Sequence, residues 1–331
     1  MSHERIYAHN AVMLTEAFGA TIEAALADPQ TTEVMANPDG RLWVERHGGG
    51  VACVGALDAL EREGIIRLAA GLDYGSVDAA HPSVDATLPG GQRFHGSIPP
   101  RVKAPYFTIR THQQRVLTRA DYVPHLCPGA VFDRLMQAIV DREMVLIAGM
   151  MSSGKSTFMT TLVSAIPPQE RVVTVGDVAE VRVSVPNQVA LFAPPSQVHV
   201  AIEEAWRSNA HRVLVEEIRN GHAALAALDV WMGLKGGLCT VHGKSALDAL
   251  YRLNHLCGEV HQNGQFGPRI ASVVDLVVYL EQVQGQRQVG EVRAVHGWEK
   301  DTYVTETFFT RNGSAAGAAP GADAPGLGAG E

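Results

Sequence analysis

The spacing of apolar positions changes character part-way along the chain. Val12, Leu14, Phe18, Ile22 and Leu26 recur at mostly helical intervals and predict a helix that ends near Leu26. Thr31–Met35 and Leu42–Glu45 flank Asn37-Pro38-Asp39-Gly40, which predicts a strand, a turn and a strand. Leu57–Leu72 keeps its apolar residues on one helical face. Val84–Leu88 and Arg93–Ile98, joined through Pro89-Gly90-Gly91, predict a hairpin; Pro99-Pro100 ends it, and Tyr106–Arg110 predicts a further strand. Residues 1–125 thus read as an α+β domain, closed by a linker in the loop around Pro124 and Pro128-Gly129.

Beyond that loop the pattern alternates. Val131–Val140 predicts a helix and Val145–Ala148 a buried strand; a helix is expected from Phe158, then a strand at Arg171–Val175. Helix Val198–Ser208, strand Arg212–Val215, helix Ala223–Trp231, strand Gly237–Val241 and helix Lys244–Leu256 follow. Short apolar runs separated by amphipathic helices predict an α/β domain, residues 126–312, with a parallel-rich sheet covered on both faces. Such a sheet takes its ligand at the carboxyl ends of the strands. Val274–Glu281, Gln288–Val295 and Tyr303–Phe309 predict terminal strands, and 313–331, rich in Gly, Ala and Pro, predicts a disordered tail.

The stretch from Met144 to Thr157, MVLIAGMMSSGKST, carries the most specific chemistry. Gly149, four further residues, then Gly154, Lys155 and Ser156 satisfy the phosphate-loop pattern G-x-x-x-x-G-K-[ST]. Glycine lets the backbone curl so that amides converge on an anion, and the following helix adds its positive end. Gly149, Met150, Met151, Ser152, Ser153, Gly154, Lys155, Ser156 and Thr157 are therefore the expected phosphate-binding residues. Lys155 would reach the β/γ-phosphates, and the Ser156 hydroxyl would ligate Mg²⁺.

Composition narrows the setting. The 331 residues suffice for two domains, and 46% hydrophobic with 19% charged residues is a globular balance. A net charge of −8 argues against a protein that coats nucleic acid, and no sequence-specific nucleic-acid binding is expected. No apolar run approaches the roughly 18 residues of a membrane span. MSHERIYAHN has no basic region before an apolar run, so a cytoplasmic protein is expected. Cys53, Cys127, Cys239 and Cys257 form no C-x-x-C pair and read as free thiols. Charge is uneven, however: between Ala86 and Ala120 there is no acidic residue, while Arg93, Arg101, Lys103, Arg110, Arg115 and Arg119 fall there. That interval predicts a surface meeting an anion or an acidic partner.

A nucleoside triphosphatase also needs carboxylates for metal and water. The strand HRVLVEEIR ends in Glu216 and Glu217; the strand before it ends at Gly176-Asp177, with Glu180 close behind. GGLCTVH brings Thr240 and His242 to the same sheet edge, where the imidazole could sense a γ-phosphate.

The order of phosphate loop, acidic box, LVEEIR strand and GGLCTVH strand resembles the secretion-superfamily traffic ATPases. The hexameric ATPases of type IV secretion and conjugal transfer are the nearest branch, and TEVMANPDGRLWVER and GGQRFHGSIPPRVKAPYFTIR resemble that family's N-terminal domain. The resemblance implies a P-loop, RecA-like C-terminal domain behind a smaller α+β domain that contributes to the nucleotide site and to ring contacts. It implies ATP and Mg²⁺ as ligands, a homohexamer, and partners among the inner-membrane components of the channel, met peripherally. Glu217 would polarise water and share the metal with Ser156, Asp177 and Glu180 would support both, and His242 would sense phosphate. First-domain arginines would complete the site, with Arg110 and Arg101 the candidates.

Several positions depart from the family pattern. Met151 and Ser152 replace Thr and Gly in the loop, and Gly176 stands where the acidic box begins with Glu. The usual Gly-Glu of the third strand is Glu216-Glu217, which makes Glu216 a candidate to compensate. The arginine segment is reduced to Arg207-Ser208-Asn209-Ala210-His211-Arg212, and Leu234 replaces a histidine. The leading expectation is a Mg²⁺-dependent ATPase powering conjugal transfer or type IV secretion. The alternatives are a nucleotide-binding ring component with weak or no hydrolysis, and a type II secretion or pilus motor of the same superfamily.

Overall fold

A computed structural model describes residues 3–46, 50–73, 75–111, 116–177, 180–261, 264–283 and 285–311. Arg115 and the 313–331 tail lie outside these residues. The chain divides into two compact units, Met1–Val116 with Val178–Glu180, and Leu117–Asp177 with Val181–Glu331.

In the first unit, α1 (His3–Ala27), β1 (Thr31–Ala36), β2 (Arg41–Arg46), β3 (Gly50–Ala56), α2 (Ala59–Ala70), β4 (Ser83–Thr87), β5 (Arg93–Ser97) and β6 (Tyr106–Arg110) follow in order. The strands form one sheet in the order β3-β2-β1-β6-β5-β4, with antiparallel pairing throughout. Period-two alternation sends Val34, Ala36, Leu42, Val44, Phe107 and Ile109 into a core closed by Leu14, Phe18 and Ile22 of α1 and Ile65 and Ile66 of α2. Asp58 caps α2 in a capping box with Glu61. Strand β3 was not expected from the sequence. It is exposed along its whole length, so its residues show no inward alternation to read.

The second unit contains α3 (Arg119–Tyr122), α4 (Gly129–Val140), β7 (Val145–Gly149), α5 (Lys155–Val163), β8 (Val172–Gly176), β9 (Gln188–Phe192), α6 (Val198–Arg207), β10 (Arg212–Val215), α7 (Gly221–Gly233), β11 (Leu238–Val241), α8 (Ala246–Val260), α9 (Gly267–Val273), β12 (Leu276–Val283), β13 (Gln286–Glu299) and β14 (Thr302–Thr310). Its sheet runs β14-β13-β12-β7-β11-β10-β8-β9. The pairings from β12 to β9 are parallel, while β12–β13 and β13–β14 are antiparallel. Alternate residues of each central strand feed separate cores. Leu146, Val173, Val213 and Cys239 pack with α6, α7 and α8. Val145, Ile147, Val172, Leu214 and Leu238 pack with α4 and α5. Burial on both faces explains why these strands read as unbroken apolar runs.

The division between units falls at Val116–Leu117, ahead of the Pro124 loop. Tyr122 and Cys127 are buried among the α4 and α5 side chains, with Leu117 and Val123 packed against them, so this stretch belongs to the second core. Arg119 leaves the basic interval by the same packing, because Nε and Nη2 donate to the Asp133 carboxylate at 2.7 and 2.9 Å.

Candidate nucleotide site

The loop after β7 is shaped by what surrounds it. A Cβ on Gly149 would sit 2.6 Å from the Leu280 carbonyl oxygen of neighbouring β12 and would collide with the Ser153 hydroxyl. Gly154 takes φ 94° in the left-handed region, which disfavours side chains, and from there helix α5 begins. The helix starts at Lys155, three residues earlier than the sequence suggested, so Lys155 and Ser156 lie in its first turn. Ser152 also adopts a positive φ of 62°. Met150 and Met151 are exposed, whereas Ser153 is buried and its hydroxyl has no hydrogen-bond partner. Lys155 is 8% exposed, and its ammonium donates to the Gly149 and Met150 carbonyls at 3.1 and 3.0 Å. Lysine is thus anchored over the loop by two of its own carbonyls. Sequence reasoning missed Arg287 of β13, whose aliphatic stem lies beside Gly154; a Cβ there would be 3.2 Å from Arg287 Cδ.

The neighbouring strand ends supply the acidic groups. In the order β7-β11-β10-β8, His242 follows β11, Glu216 and Glu217 follow β10, and Asp177 follows β8. Glu217 Oε2 accepts from Arg219 Nε at 2.7 Å, and Arg219 Nη1 reaches Asp177 Oδ2 at 2.5 Å. His242 Nε2 stands 2.9 Å from Glu217 Oε1, an ion pair when the imidazole is protonated. The contact lies outside hydrogen-bond geometry, so Oε1 is buried without a hydrogen-bond partner. One oxygen of Glu217 is therefore held by Arg219, while the other faces His242 and accepts no hydrogen bond. Burial lowers the Arg219 pKa, but the Glu217 hydrogen bond and the charges of Glu217 and Asp177 outweigh it and raise the value overall. Pro195, Val198 and Asn220 wall a recess beside these groups. Asn220 caps α7 through Ala223 N–H and donates to the Pro195 carbonyl at 2.8 Å, fixing the turn that carries Arg219. Arg219 was visible in LVEEIR, two residues past Glu217, but nothing in its spacing marked it.

Glu216 points elsewhere. It is 5% exposed, and its Oε1 accepts the Val181 N–H at 3.2 Å, while Thr240 Oγ1 donates to its carbonyl at 2.6 Å. The remaining sequence candidates lie in the first unit. Glu180 pairs with Arg93 Nη1 at 3.0 Å. Arg110 is exposed at the end of β6, opposite Glu33 and Arg93 in register. Arg101 Nη1 donates to Ser83 Oγ at 3.4 Å. Among the described residues no cluster of His, Cys, Asp and Glu forms a ready metal cage. A phosphate-loop metal does not require one, because Mg²⁺ keeps waters and substrate oxygens and takes few protein ligands.

The class follows from position. In an open parallel sheet the ligand lies beyond the strand carboxyl ends, and the loop bearing Lys155 lies at that edge of a mixed α/β fold, the placement of a nucleoside triphosphatase. The chain belongs to the type II/IV secretion system protein family, whose model matches residues 17–306. It is 35% identical over 303 residues to the conjugal transfer protein TrbB of Rhizobium radiobacter, covering 89% of this chain and 93% of that protein. It is 30% identical over 315 residues to the type IV secretion system protein PtlH of Bordetella pertussis, covering 83% and 92%. In fold it is similar to the Legionella pneumophila ATPase DotB, with a TM-score of 0.59 at 16% identity, over 83% of this chain and 79% of that one. The resemblance read from the sequence is borne out: the chain is a secretion ATPase. Among the described residues no helix is long and apolar enough to cross a membrane.

Proposed function

We propose that the chain hydrolyses Mg-ATP to drive conjugal transfer or a related type IV secretion step, with the roles divided among the residues above. The Gly149–Thr157 loop binds the triphosphate through its amides, and Lys155 moves from the loop carbonyls to the β/γ-phosphates. Ser156 and Glu217 fit Mg²⁺: both offer oxygen, and the buried Glu217 Oε1 has no hydrogen-bond donor. When bound, the ion neutralises charge on the phosphate oxygens. Glu217, held by Arg219, orients and polarises the attacking water. Asp177 holds Arg219 in place, and His242 reports on the γ-phosphate side of Glu217.

The reading extends to assembly. The first unit, with Arg110 and Arg101, contributes to the nucleotide site and to contacts in a homohexameric ring. That ring works at the inner-membrane components of the channel, bound from the cytoplasmic side; the relatives' names in conjugal transfer and type IV secretion support this setting. The single observation that carries the proposal is the Lys155 ammonium held over the loop by the Gly149 and Met150 carbonyls. ATP turnover of the purified chain, with Lys155→Ala beside it, is the test. Loss of turnover by about 10²-fold or more is expected; equal turnover in the variant would overturn the assignment. One observation favours the slow-hydrolysis alternative: Arg219 bridges both acids and so restrains them. Turnover no higher than that of Glu217→Gln would select it.

A further inference from the structure

Gly176 and Glu216 close the ends of two parallel neighbours, β8 and β10, whose register sets Val175 opposite Val215. The Glu216 amide donates to the Val175 carbonyl at 2.8 Å, so the ladder runs on to this pair. A Cβ built on Gly176 would lie 2.7 Å from Glu216 Oε2, 2.8 Å from Cδ and 3.0 Å from Cγ. The Gly176 backbone is not left-handed, and the three atoms a Cβ would meet first all belong to the Glu216 side chain. With Glu216 in this position, a side chain at 176 has no room.

Burying a carboxylate costs free energy unless donors surround it. Here it accepts from Val181 N–H and so pins the chain four residues beyond Asp177, whose own carboxylate engages Arg219. Glu217, the next residue, faces the Arg219 and His242 groups instead.

We infer that Gly176 and Glu216 form a matched pair in which one buried carboxylate, deliverable from either strand, positions Asp177 for hydrolysis. Glu216 is a positioning residue, and the space it fills is shared: an aspartate at 176 would set its carboxyl group in the volume Glu216 now holds. The hydrolytic part of this inference rests on the ATPase reading above; the pairing itself does not.

The experiment uses the full chain and reads two quantities. In steady-state ATP hydrolysis, Glu216→Ala should lower kcat about tenfold or more while KM changes less than about threefold. Glu216→Gln should stay within about threefold of native, because its amide oxygen still accepts from Val181. Gly176→Asp combined with Glu216→Ala should recover about tenfold over Glu216→Ala alone. Native kcat in Glu216→Ala, or a double variant no better than that single, would overturn the positioning role. In thermal melts, Gly176→Ala should destabilise the chain, and adding Glu216→Ala should remove most of that loss. Additive melting shifts would overturn the pairing. If the native chain showed no turnover, the ATPase reading would fail, and the melting cycle alone would decide the pair.

Discussion

Arg219 and Glu217 sit two residues apart on one turn, yet the guanidinium grips the carboxylate with both Nε and Nη2, at 2.7 and 2.6 Å. The same guanidinium reaches across to Asp177, so three residues from two strand ends form one charged unit. Both nitrogens of the fork converge on a single oxygen, Oε2, and hold it in place, while Oε1 accepts no hydrogen bond; an ammonium offers no such paired donors. Arg219→Lys should therefore lower kcat about tenfold while leaving the KM for ATP within about threefold. A variant with raised KM and native kcat would show that Arg219 binds nucleotide rather than orienting Glu217.

Gly154 is constrained by its backbone. Alanine at φ 94° carries a strain of about 1–2 kcal/mol, and its Cβ would press on the Arg287 stem. Gly154→Ala should weaken nucleotide binding about tenfold, measured by titration with a fluorescent ATP analogue. Unchanged affinity would show that the loop opens differently when it binds.

Stability has a separate centre at the opposite end of the sheet. Arg212 is fully buried and donates to Glu170 Oε2 at 2.5 Å and Oε1 at 3.1 Å, with Arg142 alongside. Glu170→Ala would strand a buried cation, at a cost of about 3–5 kcal/mol in urea unfolding. Burial pushes the Glu170 carboxyl up, but the Arg212 hydrogen bonds and the two arginine charges outweigh it and hold the pKa below the usual value. The folded form thus favours the ionised state. Its stabilising contribution is complete above the unfolded carboxyl pKa of about 4.3 and is lost as pH falls through the folded value. Unfolding midpoints of the native chain should fall more steeply in that acid range than those of Glu170→Ala.

The thiols should respond unequally to a labelling reagent at pH 8. Burial pushes Cys127 up to about 12 and Cys257 to about 11, and raises Cys239 as well. Cys53 is exposed on β3. Prompt modification of Cys53 alone, with the others reacting only in denaturant, is expected; rapid labelling of Cys239 would mean that the α6–α8 core opens.

How much of this was legible depended on whether a residue's partner was near in sequence. The strands β7, β8, β10 and β11 announced themselves because two-sided burial makes them uniformly apolar, and the loop glycines because a tight turn demands them. Strand β9 is half-exposed at the sheet edge, and helix α9 spans only Gly267–Val273, too short to display a helical period. Leu117 and Tyr122 read as the end of the first domain because their apolar partners, on α4 and α5, come later in the chain. Gly176 read as a lost acid; its meaning required the side chain that fills the gap from the next strand. Arg219 had no pattern to betray it, since its second partner, Asp177, is reached only by folding.

The contact between Gly149 and the Leu280 carbonyl has a practical corollary for anyone trimming the chain. A fragment stopped after α8 would retain every letter of the phosphate-loop signature and lose the neighbouring backbone against which its first glycine is seated. The signature is contiguous; its mould is cast from distant stretches of the polypeptide.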